Sequence, residues 1–230
     1  MRIAIMQPYL FPYIGYFQLA HAVEEFVVFD DAQYIKRGWV NRNRLLKNGS
    51  FYEFTAAVHG ASQLHTFNEV AFAPMERLIR TISSLYGHAT HFATAFPLVA
   101  SALRHNDRSV PHLIRFSIEE VFRYVGLPVR ISYASELRVA PELRGQDRIM
   151  RICHLKDATT YVNLPGGAGL YDAVTFGNSN IDLRLLRPNP DPYAQFGSTF
   201  VPNLSIIDVL MFNTPAQVRT LLTQYCLLPT

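Results

Sequence analysis

The residues best equipped for chemistry in this sequence gather near its N-terminus. Gln7, Tyr9, Tyr13 and Tyr16 surround two prolines, Pro8 and Pro12. An amide and several phenols can donate hydrogen bonds to a carbonyl or a developing oxyanion. The competing role for the aromatics is core packing, although phenols buried without partners are costly. Asp30 and Asp31 follow an apolar run at residues 26–29, and Gln33 comes two positions later. Such carboxylates could take a proton from an amine, hold an ammonium or ligate a metal. Adjacent strand residues face opposite ways, so one of the two reaches a given pocket; capping a turn and pairing with an arginine is the alternative.

Downstream, Arg37, Trp39, Arg42, Asn43 and Arg44 interleave cations with an indole and amides. If extended, this segment puts Arg42 and Arg44 on one side and Asn41 and Asn43 on the other. That comb could clamp a carboxylate or phosphate while Trp39 stacks on a sugar or base, against the plainer reading of a solvated basic strand. Pro165-Gly166-Gly167-Ala168-Gly169, flanked by Asn163 and Tyr171, could bring backbone amides close to a ligand or form only a turn. Asn203, Ser205 and Asp208 stand where an irregular segment meets a helix start; Ser205 suits a cap, and Asp208 could cap or face a pocket. The eight histidines lack ligand spacing and no GxSxG elbow is present, so neither a metal nor a bound cofactor is expected.

The elements that must hold these groups follow from hydrophobic spacing. Residues 2–6 and 26–29 read as buried strands joined by a loop and a helix opened by Pro12, which makes a parallel β-loop-α-β unit. Residues 45–58 read as a hairpin around Asn48-Gly49. Helical spacing covers 75–86, 91–103 and 110–125, and later 147–157, 205–210 and 215–222; strands are expected at 129–133, 159–162 and 181–186. The expected fold is a single α/β domain over residues 1–230, a mostly parallel, Rossmann-like sheet with helices on both faces. Residues 61–127 form a mainly helical subregion, and the hairpin is an excursion.

A net charge of +3, with 21 dispersed Lys and Arg, argues against general nucleic-acid binding. With 49% hydrophobic and 17% charged residues the chain can bury a sizeable core. Cys153 and Cys226 have no CxxC spacing and are expected to be buried, reduced thiols. No apolar run is long enough for a membrane span or signal peptide, so the expected location is cytoplasmic.

The string running from Ala4-Ile5-Met6-Gln7-Pro8 to Tyr13-Ile14-Gly15-Tyr16-Phe17, together with Asp30-Asp31-Ala32-Gln33-Tyr34, residues 37–44 and Val201-Pro202-Asn203-Leu204-Ser205, resembles the WbqC-like family. The first of these also looks like a worn nucleotidylyltransferase strand-loop-helix, with tyrosines at 13 and 16 where that motif has histidines. The resemblance implies a setting in surface-polysaccharide or natural-product synthesis. The expected activity is transfer of an acyl or aminoacyl group to a small amine or amino-sugar, free or nucleotide-linked. Asp30, Asp31, Gln7 and Tyr13 are the candidates for catalysis, and the remaining residues named above for binding. The alternative is a non-catalytic module that recognises a nucleotide-sugar or peptide within a biosynthetic complex.

Overall fold

The computed structural model describes all of residues 1–230. Strand β1 (Arg2–Met6) leads through a loop to helix α1 (Ile14–Ala22) and strand β2 (Glu25–Val28). A hairpin follows, β3 (Arg42–Lys47) and β4 (Ser50–Thr55). Its turn holds Asn48 and Gly49 at φ 50° and 73°, the left-handed pair that a type I′ turn requires. Short strands β5 (Val58–His59) and β6 (Ala71–Phe72) pair with each other before three helices, α2 (Glu76–Tyr86), α3 (Phe92–Leu103) and α4 (Val110–Val125). Then come β7 (Ile131–Tyr133), α5 (Gly145–Leu155), β8 (Thr160–Asn163), α6 (Ala173–Asn178), β9 (Asp182–Pro188), α7 (Ile206–Phe212), α8 (Pro215–Leu222) and β10 (Tyr225–Pro229).

Six strands form one sheet in the order β10-β9-β8-β1-β2-β7, parallel throughout except for the β9 and β10 pair. Strand alternation divides its side chains between two cores. Ile3, Ile5, Val27, Tyr161 and Leu183 pack against Ile149, Ile152 and Cys153 of α5 and Phe176 of α6. Ala4, Phe26, Val28, Val162 and Leu186 point the other way, into the larger core built with α1 to α4, α7 and α8. Each fully buried large side chain here contributes about 2 kcal/mol, so the sheet's centre is its most rigid part.

Several expectations are corrected. Pro12 does not open α1; the helix starts at Ile14 because the Pro12 carbonyl accepts a hydrogen bond from the Ile206 amide at 2.8 Å. The glycine-rich stretch is wound into a 3-10 helix, Pro165–Leu170, rather than left as a loop. Cys226 is exposed, since it lies on edge strand β10; Cys153 is buried, and burial pushes its thiol up to about 12. Hydrophobic spacing does not predict strand β10. Its short run carries no turn signal to separate it from α8, and Pro229 is tolerated because the strand is an edge. No helix is long and apolar enough to cross a membrane.

Candidate functional site

The loop after β1 is fixed by its carbonyls. Strand β1 ends where the Phe29 amide donates to the Met6 carbonyl at 2.8 Å, and the buried Tyr16 hydroxyl donates to the Gln7 carbonyl at 2.9 Å. The Leu10 amide donates to the Val40 carbonyl at 2.9 Å. Phe11 is buried at φ 43°, a left-handed conformation rare for a bulky residue and costing about 1 kcal/mol or more. It persists because two side chains hold its carbonyl: Asn43 donates through Nδ2, and Ser205 through Oγ at 2.7 Å. The Ser205 amide donates in turn to the Arg44 carbonyl at 2.9 Å. The β1 loop, strand β3 and the start of α7 are thus tied into one unit. Gly15 belongs to it too, because a Cβ there would lie 2.4 Å from the Tyr13 ring and 2.6 Å from Pro188.

This unit walls a cavity of about 280 Å³ lined by Tyr9, Tyr13, Trp39, Asn43, Arg44 and Asn203. Trp39 is 42% exposed, unusual for an indole. The guanidinium carbons of Arg42 and Arg44 lie 5.1 and 5.0 Å from its centroid, and the Tyr9 ring is 6.2 Å away. Glu53 on β4 stands 3.5 Å from Arg42 Nη1 and 3.9 Å from Arg44 Nε, the latter too far for a hydrogen bond, so the buried Arg44 Nε–H has an ion-pair neighbour but no acceptor. Burial pushes the phenols of Tyr9 and Tyr13 above their ordinary range, so both remain protonated donors. A cation with a spare donor, two phenols, an amide and an exposed tryptophan together suit an anionic ligand that carries a ring.

Two carboxylates stand at the end of β2, and their partners differ. Asp30 is buried and accepts from the Ser135 amide at 3.0 Å, the Ser135 hydroxyl at 2.6 Å and Asn68 Nδ2 at 3.3 Å. It joins β2 to the 3-10 helix Ala134–Leu137 after β7 and to the 3-10 helix Phe67–Glu69 before β6. Asp31 pairs through Oδ2 with Arg148 of α5 at 2.5 Å, while its Oδ1 is buried with no partner. Burial raises the Asp31 pKa, the Arg148 charge opposes that rise, and the Asp30 charge adds to it.

The chain runs from β1 outward to β2 and β7 and returns on the other side as β8 and β9, so β1 and β8 border a topological switch point. Gln7 is exposed at the carboxyl end of β1. At the end of β8, Asn163 is buried, and its Nδ2 sits 2.4 Å from where a Gly167 Cβ would be, so a larger residue there would have to displace that amide. A Cβ at Gly166 would meet open space. Tyr171 accepts from the buried Tyr161 hydroxyl at 3.3 Å.

The structure thus sorts the residues singled out by sequence into a cavity group, a carboxylate pair and a switch-point group. Arg42 backs the cavity through Trp39 and donates to the Gly38 and Arg37 carbonyls. Gln33 forms an isolated bridge with Thr66. Asp208 is fully buried and does not line the cavity; Gln195 Nε2 donates to its two oxygens at 3.1 and 3.2 Å. Burial carries the Asp208 carboxyl up to about 8.

Sequence reasoning missed Arg148, Ser135 and Gln195. Arg148 carried a usable signal: it shares a helix face with Ile152, four residues on, and a cation on an apolar face needs a carboxylate. Ser135 lies in a short 3-10 helix and Gln195 in an irregular segment, and neither gave one. No group of three or more His, Cys, Asp or Glu is placed to hold a metal ion.

Comparison with known proteins adds a relative but no reaction. An uncharacterized protein of Mycobacterium tuberculosis is 28% identical over 239 residues, covering 98% of each chain. No solved structure matches the chain. The sequence profile of the WbqC-like protein family matches residues 7–220, which include the β1 loop, the basic strand and the start of α7, and the chain belongs to that family.

Proposed function

We propose that this protein is an enzyme of surface-glycan or secondary-metabolite biosynthesis that transfers an acyl or aminoacyl group to a small amine or amino-sugar, presented in nucleotide-linked form. The observation that supports this most is the cavity, where the exposed Trp39 adjoins Arg44, whose Nε–H has no hydrogen-bond acceptor. An indole stacks on a sugar or base, and an arginine grips a phosphate or carboxylate. The Rossmann-like reading of the sheet, with a ligand at the carboxyl ends of parallel strands, is part of the same proposal.

The attacking amine must be neutral. As its lone pair forms the bond to the acyl carbon, its proton passes to a carboxylate and the leaving group departs with its bonding electrons. Asp31 suits the base role better than Asp30, because its Oδ1 is unpartnered and burial raises its basicity, whereas Asp30 already accepts from three donors. Tyr13 and Gln7 are the donors proposed for the oxyanion.

A second reading, a non-catalytic module binding a nucleotide-sugar or peptide, draws on a specific observation: Asp31 is already ion-paired with Arg148. A thermal-shift screen over nucleotides, nucleotide-sugars and amino acids, followed by turnover assays with activated acyl donors, separates the two. Binding raises the melting temperature by mass action. A nucleotide-linked amino-sugar should do so, and Arg44→Gln or Trp39→Ala should abolish the shift. Asp31→Asn should lower the transfer rate by about 10²-fold with binding retained. Binding with no turnover under any donor would favour the module.

A further inference from the structure

We infer that the groove between the hairpin tip and helix α2 is a second binding site, for the oligophosphate group of a small molecule. The groove encloses about 540 Å³ and is lined by Lys47, Tyr52, Arg77, Arg80, Thr81 and Ser84, together with Leu85. Three cations face it and no carboxylate does.

None of the three is neutralised within the protein. Lys47, Arg77 and Arg80 take part in no ion pair, and the nearest acids are engaged elsewhere: Glu53 with Arg42 and Arg44, and Glu76 with Arg104 at 2.8 Å. Arg77, Arg80 and Ser84 recur at the spacing that places them on one helix face, where like charges repel. Lys47 adds a third charge from across the groove, its ammonium held 5.3 Å from the Tyr52 ring. An arrangement that costs stability without a counter-charge is relieved by an anion, and guanidinium pairs with phosphate oxygens through parallel hydrogen bonds. Three cations around one concavity match two or three linked phosphates better than one.

This groove is distinct from the cavity already described. The two share no lining residue, and in the hairpin register Arg44 lies opposite Glu53 and Leu45 opposite Tyr52, so Arg44, beside Trp39, is on one face and Tyr52 and Lys47 are on the other. The inference does not depend on the transferase proposal.

Calorimetric titration of the full chain with tripolyphosphate at low salt tests it. One saturable site is expected, weakened by added salt. The double variant Arg77→Gln with Arg80→Gln should lower affinity by about tenfold or more. Its unliganded melting temperature should hold, because both side chains are exposed. Arg44→Gln should leave tripolyphosphate affinity unchanged. Absence of saturation, equal affinity for orthophosphate, an unaffected double variant or loss of binding in Arg44→Gln would each overturn the inference. So would binding to anionic phospholipid vesicles that tripolyphosphate does not displace, since the partner would then be a membrane surface.

Discussion

Asp30, at the end of β2, and Asp208, in the first turn of α7, are both buried aspartates, and they differ in the donors aimed at them. Asp30 receives three hydrogen bonds from two residues that belong to different elements. Asp208 receives only the Gln195 amide, near the buried Tyr86 and the half-buried Tyr193, both of whose phenols its charge would push up. Burial alone therefore does not decide what a carboxyl group does. Asp30 works as a staple whose loss strands its donors, whereas Asp208 keeps its proton to unusually high pH and ties down the segment that carries Gln195 and Val201.

The largest effect that could break this contrast is in pH. Asp208 titrates at 3.8 in an ordinary setting and at about 8 here, so between those values the folded chain holds a proton that the unfolded chain has released. Its contribution is fully present below pH 3.8 and is lost progressively as pH rises to about 8, after which it is level. The loss is on the order of several kcal/mol. Asp208→Asn approximates the protonated acid, being neutral with a donor group and an acceptor group in the same places. Urea midpoints followed across this window should fall for the parent relative to the variant. Parallel curves would mean that Asp208 is ionised in the fold and that the contrast with Asp30 is false.

Next in size is Asp30→Ala, which leaves the Ser135 amide and hydroxyl and the Asn68 amide without their acceptor. The expected cost is about 3 kcal/mol in urea denaturation. A loss below about 1 kcal/mol would show that water replaces the carboxylate freely and that Asp30 is no staple.

Asp208 also marks where the sequence stopped being legible. The elements were readable because each rests on local chemistry: Asn48-Gly49 has one low-cost turn, and the spacing from Glu76 to Val125 repeats with the helical period. The six cavity residues were readable too, since phenols around one loop, an indole among cations and amides, and an amide before a helix start are residue types that suit a ligand. What was hidden is long-range. Nothing near Asp31 in sequence announces Arg148, and nothing near Asp208 shows that α7 turns it inward to Gln195 rather than toward a ligand.

The smallest effect concerns Gln195 and distinguishes a tie from mere proximity. Its amide nitrogen donates to Asp208 and to the Val201 carbonyl at 3.2 Å, and its oxygen accepts from the Val201 amide at 2.8 Å. Gln195→Ala removes the only donor to Asp208 and frees the Val201 amide, for a cost of about 1 kcal/mol. Amide exchange at Val201 should quicken by roughly fivefold, the factor that such a loss represents, while exchange in β1 keeps pace with global stability. Because Asn203 lies two residues beyond Val201 and lines the cavity, loosening should reach the cavity wall as well. Asp208→Asn retains an acceptor for Gln195 and should leave Val201 protected. Equal protection of Val201 in the parent and in Gln195→Ala would mean that the segment is held by Ser205 and its neighbours, with Asp208 buried for packing alone.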